Sequence, residues 1–534
     1  MEPNTRFDTL VDLMLTVGYV DGVYDPHEQD FVRRYVDQLV GLVAAIPGAG
    51  EVQRDHFAAV STRLEAELAA LAAEVTAAGD DTYVNTRLKV RAVALFRGFS
   101  TSDQAIALEI VGGLVAADGT ISASERALHD ELLAYFVAPH ADAPNHAPPP
   151  AAELLQIEPA RTAPLVALTH PLLEPLEQPY GTDPVARGAR IAADYELIFG
   201  AITAWERQRA RGNGRLAGIT DIGQLAPGTR LLDGHVHVMR PDQLTELVVL
   251  GDLHGCYTCL KAALLQSDFV ERVRRFQADP QTNPDVKLVL LGDYLDRGRF
   301  GFEGVLRAAL ELLVALPNHV VLLRGNHEFL IRMDGRVVSA VNPAEAVPGI
   351  QDLVSPDILE AYRHLFEHMP TSLLFDRTLF VHGGIPRDET LAERYRDLSS
   401  LDDAALRFEM MWSDPVDIDA VPAALQREST RFTFGRAQFR AFMDRIGCHA
   451  LVRGHEQCDA GFRAAFPGGV GGRQLYTLFS AGGFDNPDLP AESRYRSVTP
   501  MALTVVRDAT SLRGIPWAIE YQPFGCAAHN GLYR

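Results

Sequence analysis

Residues 288–298 read LVLLGDYLDRG, and the chemistry of this short stretch determines how the whole sequence is interpreted. An apolar run typical of a buried strand leads into a glycine, and two aspartates and an arginine follow at once. Charged side chains are poor strand formers and are rarely buried without partners. We therefore expect the strand to end at Gly292, with Asp293, Asp296 and Arg297 lying at the rim of a sheet rather than in a core.

The same pattern of an apolar run, a glycine and polar residues recurs beyond about residue 227. Short β-rich runs alternate there with helical runs, which is typical of an α/β domain, and their continuous apolar character predicts strands buried on both faces. The segments are ELVVLGDLHG (246–255), KLVLLGDYLDRG (287–298), HVVLLRGNHE (319–328), TLFVHGG (378–384) and HALVRGHE (449–456). Because ligands gather at the carboxyl ends of strands in open α/β sheets, we expect the polar ends to meet at one edge.

The polar ends offer oxygen and nitrogen ligands and no sulfur. The candidates are Asp252, His254, Asp293, Asn326, His382 and His455. Mixed oxygen and nitrogen donors suit Mn, Fe or Zn better than a thiolate zinc site. The set is larger than one metal takes from a protein when water must also bind, so we expect two divalent ions sharing a bridging carboxylate. Manganese is the metal that we favour, with iron or zinc as alternatives.

The order GDxHG, GDxxDRG, GNHE, HGG and GHE resembles the bacterial phosphoprotein phosphatases, which are calcineurin-like metallophosphoesterases. The resemblance covers residues 246–485 and includes MWSDP (411–415), FTFG (432–435) and LFSA (478–481). It implies a calcineurin-like β-sandwich flanked by helices, in the α/β class. It also implies that one metal is held by Asp252, His254 and Asp293. The other would be held by Asn326, His382 and His455 together with a bridging Asp293.

The resemblance further implies a mechanism in which a hydroxide between the two metals attacks phosphorus in line. His327 would protonate the leaving group and would be oriented by Asp296. Arg297 and a second arginine would bind the phosphate oxygens. Glu428 stands at the position expected for that second arginine, so we assign the role to Arg427 and keep Arg431 as the alternative.

Two details of the motifs bear on the substrate. GHEQ places Gln457 where diesterase relatives often carry another histidine, which favours phosphomonoesters. DRG and GNHE match protein phosphatases better than diadenosine tetraphosphatases, although GDLHGCY also resembles the opening of the latter. SAGGF places Phe484 where the family has a tyrosine. The missing hydroxyl affects the substrate contacts that the resemblance implies, and it does not affect metal binding.

Residues 1–136 are predicted to be helical because apolar residues recur there at helical spacing. VDGVYDPHE (20–28) and ADGTISASE (117–125) repeat a helix–Asp-Gly–helix pattern, with Glu28 or Glu125 at a capping-box position. The pattern resembles the TerB-like helical domain. Two capped helix junctions are the favoured interpretation. The alternative is a divalent-ion site formed by Asp21, Asp25, Glu28, Asp118 and Glu125.

The remaining segments complete the predicted organisation. Residues 137–226 are predicted to be a proline-rich linker and a connecting helix, and residues 227–534 the catalytic domain. His235 and His237 in DGHVHV (233–238) resemble the metal-binding pair of amidohydrolases, but no barrel pattern follows, so we predict a hairpin strand. Cys256 and Cys259 have the spacing of a redox motif, and we interpret them as packing residues.

Composition narrows the classes of partner. The formal net charge of −21 over 534 residues disfavours nucleic acid, and no apolar run is long enough to span a membrane. Five cysteines are too few for a disulfide framework, and no signal segment opens the chain, so we expect a cytoplasmic protein.

Three functions follow from the sequence. The first is a metal-dependent serine/threonine protein phosphatase acting on a phosphorylated protein. The second is a nucleotide or diadenosine polyphosphate hydrolase. The third is a stress-linked adaptor or sensor, in which the helical domain binds a protein partner or an ion, and the proline-rich linker tethers that domain flexibly.

Overall fold

The computed structural model describes residues 3–20, 24, 26–43, 55, 59, 62, 66, 81–117, 119–137, 153–429 and 431–534. Backbone contacts divide the chain into two compact units. The first unit comprises Met1–Asn145 and Val416–Arg436, and the second comprises His146–Pro415 and Ala437–Arg534. The sequence placed residues 416–436 in the catalytic domain, whereas their contacts group them with the first unit.

The first unit is helical in its described residues. Its helices are α1 (Pro3–Gly18), α2 (Pro26–Val43), α3 (Asp81–Arg97), α4 (Thr101–Leu114), α5 (Ala123–Val137) and, from the second segment, α14 (Ala423–Glu428). Apolar residues at helical spacing place side chains of α1, α3 and α4 in one shared core, among them Val11, Val93 and Val111. The helical fold predicted for this region is confirmed.

The Val416–Arg436 segment supplies part of that core. Ile418, Val421 and Leu425 are buried with the side chains of the other helices. Lys89 Nζ lies 2.7 Å from Glu428 Oε2, and Arg97 Nη1 donates a hydrogen bond of 2.5 Å to the carbonyl oxygen of residue 420. Apolar packing and polar contacts therefore both attach this segment to the first unit.

We expect Leu425→Ala to destabilise the first unit by about 2–5 kcal/mol, because it opens a cavity at a side chain that is only 1% exposed. Hydrogen exchange at the amides of α3 would report the loss as faster exchange. Leu133→Ala is the matched control, since Leu133 is 43% exposed on α5 of the same unit. Unchanged protection of α3 in the Leu425 variant would contradict the assignment of residues 416–436 to this core.

One of the two Asp-Gly junctions can be described. The backbone N–H of Ser122 donates to Glu125 Oε2 at 2.7 Å, and the N–H of Glu125 donates to Ser122 Oγ at 3.2 Å. This reciprocal pair is the predicted capping box, which is confirmed here. Asp21, Asp25 and Asp118 lie outside the described residues. Among the described residues, Glu28 and Glu125 belong to no group that could hold a metal ion.

The second unit contains two large sheets. The six-stranded sheet has the order β1-β15-β14-β4-β5-β6, and the seven-stranded sheet has the order β12-β13-β11-β10-β9-β3-β2. A separate hairpin is formed by β7 (Leu330–Met333) and β8 (Arg336–Ser339). The bounds of the sheet strands are β1 (Leu155–Ile157), β2 (Arg230–Asp233), β3 (Val236–Met239), β4 (Thr245–Leu250), β5 (Asp285–Leu290), β6 (Val320–Leu322), β9 (Ser372–Phe375), β10 (Thr378–Val381), β11 (Ala450–Arg453), β12 (Phe462–Ala464), β13 (Gln474–Leu478), β14 (Met501–Arg507) and β15 (Leu512–Ala518).

The two sheets form a sandwich, which confirms the predicted fold class. Along β4, Leu247 and Val249 pack in the core between the sheets, whereas Val248 and Leu250 pack in a second core with the helices. Alternation across a pleated strand therefore buries both faces, as the continuous apolar runs predicted. The structure corrects one detail, because the predicted strands are divided between two sheets instead of lining the edge of one.

Helices flank the sheets of the second unit. They are α6 (Pro184–Gly212), α7 (Tyr257–Gln266), α8 (Phe269–Ala278), α9 (Arg307–Ala315), α10 (Ala346–Ile350), α11 (Pro356–His368), α12 (Asp388–Arg394), α13 (Ala404–Trp412) and α15 (Arg436–Ile446). Side chains from α6, α7, α9 and α11 share one large core with the six-stranded sheet.

The predicted linker contains ordered structure in its described part. Residues 138–152 lie outside the described residues. Beyond them, β1 pairs in parallel with β15, and α6 buries Trp205 fully. Arg307 forms a buried ion pair with Asp194 of α6, with Nε 2.7 Å from Oδ1. The connecting helix is therefore part of the second unit, because strand pairing, apolar burial and a buried ion pair all join it to the sheets and helices there.

Candidate metal centre

The candidate ligands follow the carboxyl ends of neighbouring strands. In the six-stranded sheet, β4, β5 and β6 run parallel to one another and lead into Asp252, Asp293 and Asn326. In the other sheet, β10 and β11 are also parallel and lead into His382 and His455. Parallel neighbours end at the same side of a sheet, so strand direction alone brings each set together.

The turns that carry these residues have unusual backbone geometry. Five non-glycine residues at the site have positive φ angles: His254 (42°), Asp293 (55°), Asp296 (61°), Arg297 (65°) and His455 (68°). Left-handed backbone is unfavourable for residues with a side chain, and such residues cluster at functional sites. These turns therefore hold side chains of the candidate site on locally strained backbone.

Asp293 lies between two groups of ligands. Its Oδ2 is 3.4 Å from His254 Nε2, and its Oδ1 is 3.3 Å from His382 Nε2. Asn326 Oδ1 is 2.9 Å from both His382 Nε2 and His455 Nδ1. His254, Asp293 and His327 could hold one ion, and Asp293, His382 and His455 could hold another. The carboxylate shared by both groups is what a bridged pair of metals requires.

Asp252 completes the set. Its Oδ2 is fully buried, lies 3.6 Å from His254 Nε2 and has no hydrogen-bond partner among the residues that the structure describes. A buried carboxylate oxygen without a partner is costly, and a cation would satisfy it. The oxygen and nitrogen donors therefore fit one or two divalent ions.

Backbone carbonyls orient two of the histidines. His254 Nδ1 lies 2.9 Å from the carbonyl oxygen of Leu295, and His382 Nδ1 lies 3.1 Å from that of Leu291. Since a carbonyl oxygen only accepts, each Nδ1 carries the proton, and each Nε2 is left to bind a metal.

Burial and charge set the protonation of the centre without metal. Burial lowers the pKa of His254 to about 3, so its imidazole is neutral. Burial also acts on His382, but Asp293 and Asp252 outweigh it and raise the pKa of that histidine to about 9. Burial opposes ionisation of Asp293, yet the neighbouring His382, His327 and His254 hold its pKa well below the usual range. The bridging position therefore carries a carboxylate anion.

His327 and Asp296 form a separate pair beside the ligands. His327 Nδ1 lies 2.7 Å from Asp296 Oδ2, and Asp296 Oδ1 accepts hydrogen bonds from the backbone N–H groups of Glu345 and Ala346. Burial disfavours the charged imidazole, but Asp293 and Asp296 outweigh it and raise the pKa of His327. This arrangement favours the protonated form of His327 beside the candidate metal ligands.

The two arginines proposed to bind phosphate lie in different units. Arg297 is in the second unit, where its Nη1 is 3.4 Å from Glu345 Oε1. Arg427 is on α14 in the first unit, where its positive charge partly offsets the burial that raises the pKa of Glu131.

Two residues that bear on the substrate are also placed. Phe484 is 85% exposed, and the Gln457 side chain donates a hydrogen bond to Asp459.

The sequence analysis missed three residues that support the ligands. The buried Glu328 accepts hydrogen bonds from the backbone N–H groups of Gly325, Asp293 and Tyr294, which fixes two ligand loops together. Its place in GNHE was the available signal. Fully buried Arg453 binds Asp414 at 2.8 Å and Glu456 at 2.7 Å beside His455. The ring of Tyr495 stacks on His254 with centroids 5.3 Å apart, and no motif marked it.

The motifs interpreted as structural contribute no side chain to the possible metal groups among the described residues. His237 is buried on β3, which forms the predicted hairpin with β2, and His235 Nδ1 lies 2.6 Å from Asp402 Oδ1. Cys256 and Cys259 are free thiols at the start of α7, both buried in the core.

The sequence was also compared with known proteins and protein families. Residues 245–459 match the family model of calcineurin-like phosphoesterases. A probable serine/threonine-protein phosphatase of Encephalitozoon cuniculi is 28% identical over 290 residues, which cover 52% of this chain and 55% of that protein. A serine/threonine-protein phosphatase of Caenorhabditis elegans is 27% identical over 237 residues, covering 44% and 46%. The chain thus spans about half the length of these two relatives.

A solved protein serine/threonine phosphatase from Saccharomyces cerevisiae is 18% identical, covers 61% of this chain and 90% of its own, and has a TM-score of 0.39. No helix in the described part of the chain has the length and apolar character needed to cross a membrane.

Proposed function

We propose that this chain, whose residues 245–459 match the calcineurin-like phosphoesterases, is a metal-dependent serine/threonine protein phosphatase. The observation that carries the proposal is the position of Asp293, whose two carboxylate oxygens face separate ligand groups beside a paired His327 and Asp296. Together, the ligand groups would provide a place for two cations, and His327 would provide a proton for the leaving alkoxide.

Two divalent cations, when bound, would lower the pKa of water and polarise the phosphoryl group. We assign Asp252, His254, Asp293, Asn326, His382 and His455 to hold them, with manganese as the favoured metal. His254 and His382 present Nε2 because backbone carbonyls occupy their Nδ1 protons. Asp293, which belongs to both groups of side chains, would be the ligand that the two cations share.

The proton for the leaving group comes from His327 in this proposal. Asp296 accepts the Nδ1 proton of His327, and in the imidazolium form that Asp293 and Asp296 favour, Nε2 also carries a proton, 3.9 Å from Asp293 Oδ2. When the P–O bond breaks, the serine or threonine oxygen takes that proton, and the oxygen of a hydroxide, formed when water releases a proton to solvent, becomes bonded to phosphorus. His327 then regains a proton from solvent. Asp296 holds the ring in place through its backbone hydrogen bonds and favours the charged imidazole.

Arg297 is proposed to bind phosphate oxygens. Its side chain is largely buried next to the ligand loop, and its contact with Glu345 at 3.4 Å is loose enough to be exchanged for a phosphate. Arg427 remains our candidate for the second phosphate-binding arginine, with Arg431 as the alternative.

The substrate class is tested by comparing a panel of phosphoserine and phosphothreonine peptides with diadenosine tetraphosphate. We expect manganese-dependent release of phosphate from the peptides, at least about a thousandfold above the rate after chelation, since metal charge supplies several kcal/mol to such reactions. Chelated enzyme that regains activity with manganese controls for unfolding. Preferential cleavage of the dinucleotide would assign the same centre to nucleotide substrates, and no hydrolysis of either would overturn the proposal.

We also propose a cytoplasmic location and a regulatory role for the first unit as a TerB-like domain that binds a protein partner. All five cysteines are free, and four of them are buried, which suits a reducing compartment. The Val416–Arg436 segment supports the regulatory role. It belongs to the first unit, and in the sequence it lies between Asp414 and most of α15, which belong to the second unit.

A further inference from the structure

A cavity lies at the other end of the strands that carry the candidate metal ligands. It has a volume of about 370 Å³, which is within the range of small-ligand sites. Residues from β2, β3, α6, α8 and the starts of β5 and β6 line it. Because β5 is six residues long and ends just before the metal ligands, the cavity is roughly 20 Å from the metal centre.

The wall of the cavity is apolar over much of its area. Side chains from both sheets and from α8 contribute, and they are Leu231, Leu232, Val238, Met239, Phe276, Val320 and Val321. A wall of this kind favours a ligand with an aliphatic or aromatic body.

Cations outnumber anions around this cavity. Arg211, Arg230 and Lys287 line it, although the whole chain has a formal net charge of −21. Buried Asp285 lies 2.5 Å from Arg230 Nη1 and 2.7 Å from Lys287 Nζ, so one carboxylate serves both cations. Burial lowers the pKa of Lys287 to about 8, and its ammonium group is therefore still mainly charged at pH 7.

Arg211 is the cation best placed to bind a ligand. It is exposed at the end of α6 and forms no ion pair with any residue in the described part of the chain. A guanidinium group without a carboxylate partner can bind a carboxylate, sulfonate or phosphate in a bidentate manner.

Two further polar groups of the lining lack partners. His237 is 5% exposed, and its Nε2 has no hydrogen-bond partner among the described residues. The same holds for Oε1 of Gln208, whose amide nitrogen donates to the carbonyl oxygen of Pro317. Buried polar atoms of this kind are usually satisfied, so both are consistent with a ligand that brings its own polar groups.

We propose that this cavity binds a small organic anion with an apolar body. The apolar wall takes the body, and Arg211 with Arg230 takes the anionic head. The site is independent of the phosphatase reaction and uses none of the residues proposed for metal binding.

The test uses a matched pair of fluorescent probes on the 534-residue chain with chelator present. 1-Anilinonaphthalene-8-sulfonate is the anion, and N-phenyl-1-naphthylamine is the same body without the sulfonate. We expect one saturable site that prefers the anion, and Arg211→Glu should weaken anion binding by about tenfold while the neutral probe binds as before. Arg215→Glu, the same charge change at a nearby exposed arginine outside the cavity, should leave both unchanged.

Competition then distinguishes the head groups. Displacement of the anionic probe by adenosine 5′-monophosphate alone would identify a phosphate ligand, and displacement by octanoate alone would identify a carboxylate ligand. The proposal is overturned if neither competes, if the neutral probe binds as tightly as the anion, or if Arg211→Glu and Arg215→Glu weaken binding equally.

Discussion

Asp293→Asn should reduce manganese-dependent phosphatase activity by at least about a thousandfold, because the change removes the charge that both metal positions share. The amide keeps the size of the side chain but can no longer offer an anionic oxygen to each side. We expect elemental analysis to show two equivalents of metal in the parent protein and less than one in the purified variant. Steady-state hydrolysis of a phosphothreonine peptide gives the activity.

Asp352→Asn is the matched control for this experiment. Asp352 is an exposed aspartate of the same unit, and its substitution should change neither metal content nor turnover. An Asp293→Asn variant that keeps both metals and near-normal turnover would show that the ligand groups do not share this carboxylate, and the two-metal proposal would be wrong.

His327→Asn should lower kcat for phosphoserine peptides by about a hundredfold to ten-thousandfold, which is the usual contribution of a positioned proton donor. The loss should be much smaller for 4-nitrophenyl phosphate, whose leaving group departs without a proton. Because general acid catalysis acts on the leaving oxygen, the difference between the two substrates isolates that role from binding or folding. His364→Asn, at an exposed histidine on α11, serves as the control.

Metal content decides between two roles for His327. The side chain lies close enough to His254 and Asp293 to join them around an ion, in a group that does not include Asp252. A proton donor can be replaced without losing metal, whereas a ligand cannot. If His327→Asn loses one metal and slows both substrates equally, His327 is a ligand and the leaving group must obtain its proton elsewhere.

Much of the centre could be predicted because its signals are local in the sequence. Each ligand follows an apolar strand within a few residues and stands beside a glycine, so strand ends and ligand identities could be predicted from short motifs. Burial on both faces of β4 likewise follows from its continuous apolar character. The strand bounds in the structure agree with those predictions to within one or two residues at each end.

Other features depend on contacts between distant parts of the chain. Tyr495 stacks on His254 although more than 200 residues separate them in sequence, and no motif around Tyr495 signals this. Glu328 was visible in GNHE, but its bonds to the N–H groups of Asp293 and Tyr294 depend on how two loops meet. Residues 416–436 carried phosphatase landmarks, and only their packing shows that they complete the first unit.

The position of Ile418, Val421 and Leu425 in the core of the first unit has a consequence for biosynthesis. The helices before residue 145 leave the ribosome long before residue 425 is made, so during elongation their core lacks the side chains that later fill it. Contacts between residues this far apart in sequence slow folding, and exposed apolar surface promotes aggregation while it persists. We therefore infer that the first unit reaches its final stability only after most of the second unit has been synthesised.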